Sequence, residues 1–470
     1  MAARAKPPTG RPDRPTALTD RLLTVEEARE QVFAAIAGPV EAEHGWLSEA
    51  LWRVAADDVM SEVDLPPWDN SAMDGYALRA GDVAAATDEA PVPLEVIGEV
   101  RAGQAPDVPV RRGTAVRIAT GAPTPPGADA VVPVESTTPV DAAGVATGPR
   151  GRDATGPLPA GVLIHEAVPI GRSIRRAGSD LAAATIVIEA GSILTPAAIA
   201  LAAGTGHAAI PVRRRPRIGI LATGDEIRTP GQDLGPAGIP DANGPGLIAQ
   251  VEAAGGEAHV LGVAKDQFED VRARLCAGLV GGLDAIIVSG GVSVGPYDVV
   301  RAAFQEFGTI DLWRVAVQPG KPFAFGTARA PGDDGSDPAR PATLLFGLPG
   351  NPVSTFVTFE LFVRPAIRRL AGHRDARVDR ATDRAVLTVP VEKSHGRRAF
   401  IRVLAERDAN GTPQRDDGGR VRVGLAGGAG GQGSHVLSAL AVADALAVIP
   451  EADDALPAGA EVELWWLDRA

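Results

Sequence analysis

Between Ile218 and Leu370 the chain alternates short apolar runs with amphipathic stretches: "IGILAT", "PGLIAQVEAAGG", "AHVLGV", a helical stretch around Cys276, "AIIV", another helix after Asp298, "LWRVAV", "TLLF" and a long helical pattern through Leu370. A strand followed by a helix and a further strand builds a parallel sheet covered on both faces, because each crossover returns the chain to the same edge. The order therefore predicts a doubly wound, mostly parallel α/β domain over residues 215–374. Such a sheet binds its ligands outside the carboxyl ends of its strands. The polar, breaker-rich "APGDDGSDPARPA" reads as a surface loop between two of them.

At 470 residues the chain exceeds one ordinary core, so further domains flank this one. Residues 1–20, rich in Pro, Arg and Ala, read as a disordered tail without the continuous apolar region of a secretory signal. Thr24 and Glu27 form a capping-box pattern before "EEAREQVFAAIA", and "WLSEALWRVAADDVM" predicts a second amphipathic helix. Residues 21–61, joined by 171–214 with the helical "TPAAIALAAGTG", make an elongated helical and linker domain. Residues 62–170 carry the short β-prone runs "PLEVIGEV", "TAVRIATG" and "AVVPVE", which suggest a β-rich domain. Residues 375–470 read as a C-terminal β-barrel-like domain, with Asn410-Gly411 as a hairpin turn. The "RRRPR" cluster from Arg213 is an anion site or a solvated linker, with the linker favoured.

Lys and Arg total 46 against 59 acids, a formal net charge of -13, which argues against nonspecific nucleic-acid binding. A discrete anionic ligand is compatible with that balance. The single cysteine, Cys276, cannot form an intrachain disulfide, and it falls in step with Phe268, Val271, Leu275 and Leu279 as a packed core thiol. No stretch is apolar for the length of a membrane span, and a cytoplasmic location is expected.

The chemistry gathers after the strands of the α/β unit. In "SGGVSVGPYD", Gly290, Gly291 and Gly295 either let backbone amides converge on a phosphate or only shape a tight strand-to-helix turn. Thr223-Gly224-Asp225-Glu226, Asp266, Asp298 and Pro349-Gly350-Asn351-Pro352 occupy corresponding positions. Acids beside a phosphate cradle repel it unless a cation stands between, so glycines and carboxylates together imply a hard divalent ion, most simply Mg²⁺. Taken singly, Asp225 or Asp266 is equally readable as a helix cap. Lys321 in "VQPGKPFAFG" is a point charge for an oxyanion or a surface lysine. Arg402 and Ser434 complete an oxyanion pocket only if the C-terminal part folds back over the crevice.

Assembled, these stretches resemble the molybdopterin molybdenumtransferases, the molybdenum-insertion enzymes of molybdenum-cofactor biosynthesis, whose animal relative is the E domain of gephyrin. The resemblance rests on "WDNSAMDGYAL", "RIATGAPTPPGADAVVPVE", "IRRAGSDL", "ATGDE", "SGGVSVGPYD", "QPGKPFAFG", "GLPGNPVS" and "GQGSH", in order from about residue 20 to the C-terminus. It implies a homodimer of four-domain protomers, an α/β domain of the molybdopterin-binding type, and a site between that domain and the "DNSAMDGYA" domain of the other subunit. The implied reaction takes adenylylated molybdopterin and molybdate, releases AMP and leaves molybdenum on the pterin dithiolate.

Carried onto this chain, the resemblance implies that Asp74, Thr120, Asp180, Glu226 and Asp298 are catalytic. Ser289, Gly290, Gly291, Ser293, Gly295, Pro349, Gly350, Asn351 and Pro352 would bind the pterin nucleotide. Lys321, Arg402 and Ser434 would receive molybdate, and Asp225, Glu226, Asp266 and Asp298 would hold Mg²⁺. Implied partners include the upstream adenylating enzyme and acceptor molybdoenzymes, with no nucleic acid and no membrane. The chain departs from the family pattern before "PGKP", where Gln318 replaces a common lysine and the upstream basic position is Arg314. That change bears on the choice between molybdate and tungstate. Two alternatives are a noncatalytic carrier of the pterin nucleotide, which releases no AMP, and an adenylyltransferase, which releases pyrophosphate from ATP.

Overall fold

The computed structural model describes residues 22–151, 156–291, 299–337, 340–374, 378–427 and 431–467. The N-terminal tail expected over residues 1–20 lies outside them. In the α/β unit, β1 (Arg217–Thr223), β2 (Glu257–Ala264), β3 (Ala285–Ser289), β4 (Gly308–Arg314), β5 (Pro322–Ala328) and β6 (Thr343–Leu348) form one sheet in the order β2-β1-β3-β6-β5-β4. The first four of that order are parallel neighbours, and β5 runs against both β6 and β4.

Alternation along the strands explains the two covered faces. Ile218, Ile220, Ala285, Ile287 and Phe346 pack with Leu247, Val251 and Val353 on one side. Leu221, Ile286, Val288 and Leu345 pack with Val271, Leu275, Val300 and Phe304 on the other. Each such side chain taken from water contributes about 1.5–3 kcal/mol, so a one-residue slip of any strand would exchange the faces at large cost.

β5 has no counterpart in the strand order read from the sequence. Pro322 opens the strand, a position where its missing N–H does little harm, and Phe323 and Phe325 then alternate into the core. The "LWRVAV" run is correspondingly shorter as a strand, β4 ending at Arg314. Cys276 is half-buried rather than packed in the core, because Leu275 takes the inward position of the helix Phe268–Val280 and its neighbour is turned aside.

The long helix through Leu370 is three consecutive segments, Pro352–Thr358, a wider π turn Phe359–Val363, and Arg364–Leu370. Glu360 sits in the wide turn and is 3% exposed. Its carboxylate accepts from Arg380 Nε at 2.7 Å and Gln250 Nε2 at 3.0 Å, with Arg364 Nε at 3.7 Å. Arg380 also donates to the Trp466 carbonyl at 3.3 Å, which ties the C-terminal region to this helix.

The helix Val25–Ala34 carries the capping box expected of Thr24 and Glu27 and inserts Val25, Ala28 and Val32 into the α/β core. The second N-terminal helix does not form. "WLSEALWRVAADDVM" instead finishes the strand Ala42–Trp46, makes a 3-10 turn at Leu47–Glu49 and continues to the strand Val59–Met60. Pairing decides the outcome: Ala42–Trp46 lies antiparallel to Ala209–Arg213, and Ala50, Ala55 and Val59 pack on Leu194, Ile210 and Val212. Amphipathic periodicity is a weak guide where long-range partners are available.

Arg214, inside the "RRRPR" cluster, grips Asp284 with two bonds of 2.6 and 2.8 Å, and Arg213 donates to the Val40 and Ala56 carbonyls at 3.2 and 3.4 Å. Those two cations are committed to protein groups, so they form a clasp rather than an anion site. The β-rich region is a six-stranded sheet with Gly75–Leu78 between Ala130–Pro133 and Thr114–Ile118. In the C-terminal region, Thr382–Leu387, Arg398–Ala405, Val421–Leu425, Ala445–Ile449 and Glu461–Trp466 close into a five-stranded barrel. None of the described helices is long and apolar enough to cross a membrane.

Candidate active site

The loops singled out in the sequence leave the same edge of the sheet side by side. Gly224 N donates to the Ala264 carbonyl at 3.2 Å, and Gly290 N to the Leu348 carbonyl at 3.1 Å. Gly290 and Gly291 have φ of 94° and 66°. A Cβ at Gly290 would stand 2.7 Å from the Thr223 carbonyl oxygen, and one at Gly291 would stand 2.5 Å from Val300 Cγ2. Both conformation and space therefore demand glycine here. Thr223 Oγ1 is buried beside them with no hydrogen-bond partner among the described residues.

Asp225 and Asp266 meet at this edge, the Asp266 N–H donating to Asp225 Oδ1 at 3.3 Å. Burial, and then the charges of Asp225 and Glu226, push the Asp266 carboxyl above its ordinary value. Hard oxygen donors that repel one another suit a divalent cation. Among the described residues, however, no three carboxylate, imidazole or thiolate groups converge on one ion position. Ser293, Gly295 and Asp298 lie outside the described residues.

Asn243, at the start of the helix Asn243–Ala253, joins two of the loops. Its Nδ2 donates to Ser289 Oγ and to the Gly350 carbonyl, each at 2.7 Å. Gly350 in turn belongs to the turn Pro349–Pro352, held by Thr355 Oγ1 donating to the Pro349 carbonyl at 2.5 Å. Pro352 opens the following helix, where its fixed φ suits the first turn.

This turn meets the C-terminal barrel. Asn351 Nδ2 donates to Ser434 Oγ at 3.1 Å, and Val353 N to the Ser434 carbonyl at 3.1 Å. Arg402, on the barrel strand Arg398–Ala405, is 1% exposed and donates through Nη2 to the Gly433 and Gly431 carbonyls at 3.2 and 3.5 Å. Its Nε is buried without a partner among the described residues, and burial alone pulls the guanidinium below its ordinary value. A buried cation without a counter-charge is costly, and an entering anion would offset that cost. The C-terminal region thus does fold back against the crevice.

Lys321 is half-buried in the turn before β5, closed by Val315 N donating to its carbonyl at 2.9 Å. Its side chain shares no hydrogen bond with Arg402 or Ser434. Gln318 faces the barrel, where Oε1 accepts from Ser394 N at 2.9 Å.

Asp74 and Thr120 form a pair in the β-rich region: Asp74 Oδ1 accepts from Thr120 N at 2.6 Å and Thr120 Oγ1 at 2.9 Å. Gly75 follows because a Cβ there would lie 2.0 Å from the Val132 carbonyl oxygen. Asp180 is exposed on the segment that docks onto this region through Ile174–Arg175 pairing with Asn70–Ser71. The side-chain bonds of Asp74 and Thr120 are made to each other within the β-rich region.

The sequence reading places Thr223 in a strand-end cluster but does not single out Asn243 or Gln432. "DANG" was passed over as lead-in to a helix taken from Pro245, and Gln432 was hidden in a glycine-rich run. A signal existed in each: a lone amide side chain among glycines just beyond a strand or just before a helix.

Three family descriptions match the chain in sequence: the MoeA N-terminal region (domain I and II) over residues 23–206, a probable molybdopterin binding domain over 219–369, and the MoeA C-terminal region (domain IV) over 384–467. Molybdopterin molybdenumtransferase 2 of Mycobacterium tuberculosis is 37% identical over 89% of this chain and 93% of its own length. The chain belongs to the molybdopterin molybdenumtransferase family. Molybdopterin molybdenumtransferase of Haemophilus influenzae is 31% identical over 94% of this chain and 98% of its own. The solved molybdopterin biosynthesis moeA protein of Pyrococcus horikoshii aligns with a TM-score of 0.74 at 29% identity, covering 95% of this chain and 99% of that one. The resemblance drawn from eight short motifs, and the multidomain fold expected with it, are borne out by these relatives.

Proposed function

We propose that this chain inserts molybdenum from molybdate into adenylylated molybdopterin and releases AMP. The observation that carries the reading is the contact between Asn351 and Ser434, which brings the buried Arg402 of the barrel to the end of the glycine-lined crevice. The amides of Gly290 and Gly291, with Ser289 and the Pro349–Pro352 turn, receive the phosphate part of the pterin nucleotide. Arg402, Lys321 and the Ser434 hydroxyl receive the tetrahedral dianion, two cations offsetting its charge and the hydroxyl donating a hydrogen bond.

In the reaction the pyrophosphate P–O bond between AMP and the pterin phosphate breaks, water or a molybdate oxygen supplies the replacing oxygen, and the two dithiol sulfurs bind molybdenum as an oxo ligand departs, either to phosphorus or with the two thiol protons as water. Asp225 and Asp266, which meet beside Glu226, would contribute carboxylates to a Mg²⁺ completed by the nucleotide's own phosphate oxygens, and the ion would supply charge neutralisation for the pyrophosphate. Asp74, Thr120 and Asp180 act from a second copy of the chain in a cytoplasmic homodimer, a reading supported by their exposure and by the bonds that keep Asp74 and Thr120 to each other within the β-rich region.

AMP production from adenylylated molybdopterin, with and without molybdate, tests the reading. Molybdate-stimulated turnover supports insertion. Stoichiometric binding of the nucleotide without AMP release would establish a carrier instead.

A further inference from the structure

Arg402 is held at both ends by one short segment, and the residue that connects the two grips is Gln432. Its Oε1 accepts from the Arg402 backbone N–H at 2.9 Å, while its Nε2 donates to the Arg402 carbonyl at 3.0 Å and to the Ala426 carbonyl at 2.8 Å. The carboxamide orientation follows from these partners, since the oxygen faces a donor and the nitrogen faces two acceptors. The side chain thus takes the part of a neighbouring strand for Arg402, at the place where the barrel strand Arg398–Ala405 meets the glycine-rich turn.

The residues on either side of Gln432 aim the other end. The Gly431 and Gly433 carbonyls accept from the Arg402 guanidinium, so the height of the turn above the strand fixes where the guanidinium points. Ser434, whose hydroxyl meets Asn351, is the next residue but one after Gln432. A shift of the turn therefore moves both the guanidinium and the hydroxyl offered to the oxyanion.

We propose that Gln432 is a positioning residue for the oxyanion site, setting the affinity for molybdate without contributing to nucleotide binding. The inference rests on the reading of Arg402 as a molybdate ligand. Loss of this one amide leaves the Arg402 N–H and the Ala426 carbonyl without its bonds, while the Arg402 carbonyl keeps the one it accepts from Ala426 N at 2.8 Å, and those two unmade partners are what makes the loss felt at the site. The loops at Ser289–Gly291 and Gly350, which the Pro349–Pro352 turn links to Ser434, are also tied to each other by Asn243 through bonds that involve neither Gln432 nor Arg402.

The test is steady-state AMP release from adenylylated molybdopterin with molybdate titrated, for the native chain, Gln432→Met, Gln432→Ala, Arg402→Ala and the double variant Gln432→Met/Arg402→Ala. Methionine keeps the side-chain volume and removes the hydrogen bonds, which guards against a variant that merely fails to fold. The expected result is a rise in KM for molybdate on the order of tenfold for Gln432→Met. KM for the nucleotide should stay within about twofold, and the double variant should be no worse than Arg402→Ala, because residues acting as one unit are not additive. If Arg402→Ala raises KM for molybdate and Gln432→Met does not, the positioning role is wrong while the oxyanion reading stands. Full additivity, or a parallel rise of both KM values, also overturns it as a general structural effect. If Arg402→Ala leaves KM for molybdate unchanged, the oxyanion reading falls and this inference falls with it.

Discussion

The Asn351 carboxamide donates to the Ser434 hydroxyl across 3.1 Å, and this bond joins the ligand edge of the α/β sheet to the C-terminal barrel. Neither side holds the whole proposed site: glycines and acids belong to the sheet edge, the buried guanidinium to the barrel. Ser434→Ala removes both the acceptor for Asn351 and a donor for the oxyanion. A net contribution of about 0.5–1.5 kcal/mol per hydrogen bond predicts a rise in KM for molybdate of roughly threefold to tenfold. Kinetics of AMP release check this, and an unchanged KM would count against the placement of molybdate.

Asn243→Asp should act on the other substrate. A carboxylate cannot donate to the Gly350 carbonyl, and it brings a negative charge to the loops proposed to receive phosphate. Binding of the adenylylated pterin should weaken by about tenfold or more, with KM for molybdate little changed. Calorimetric titration of the nucleotide reads the effect directly.

The acids at the strand ends should cost stability until a cation is present. The Asp266 carboxyl is raised by burial and by Asp225 and Glu226, so its charged form is disfavoured in the folded chain. A raised carboxyl contributes most below its ordinary value and costs stability as pH climbs through the folded one. At neutral pH in chelator, Asp266→Asn should therefore melt no lower than the native chain. Adding Mg²⁺ should raise Tm of the native chain and leave the variant almost unmoved; equal shifts in both would remove Asp266 from the ion's ligands.

Acid lability has a local contributor in the barrel. Asp416 is drawn down from 3.8 to about 2, first by its side-chain bond to Arg420 and then by the Arg420 backbone N–H. A lowered carboxyl stabilises the fold above its ordinary value and ceases to as pH falls through the folded one. The stability difference between the native chain and Asp416→Asn should hold at pH 5 and vanish between about pH 4 and pH 2, as read by thermal melts. Both side chains remain partly open to solvent, so the difference should be small.

Much of this was legible in the residues because burial imposes simple periods. Strands β1, β2, β3 and β6 announce themselves as apolar runs ending in glycine or acid, and the capping box at Thr24 marks its helix. The barrel strands were readable for the same reason. β5 was not, since two prolines before its phenylalanines resemble a turn until the antiparallel partner β6 is known. The false helix over "WLSEALWRVAADDVM" has the opposite cause: its local pattern is helical, and pairing with Ala209–Arg213 prevails. Glycines and carboxylates at strand ends declare themselves as candidates by residue type alone. Asn243 and Gln432 act through bonds made to residues distant in the chain, so a lone amide among glycines can mark the residue in the sequence but not its partners.

The central claim is tested most directly by counting molybdenum and AMP in the same reaction. Adenylylated molybdopterin is incubated with the chain, Mg²⁺ and molybdate; AMP is quantified by chromatography and pterin-bound molybdenum by elemental analysis. The account predicts one molybdenum acquired for each AMP released, with both reduced together in Arg402→Ala at limiting molybdate. AMP released with no molybdenum on the pterin, or nucleotide bound intact by a folded native chain, would contradict it.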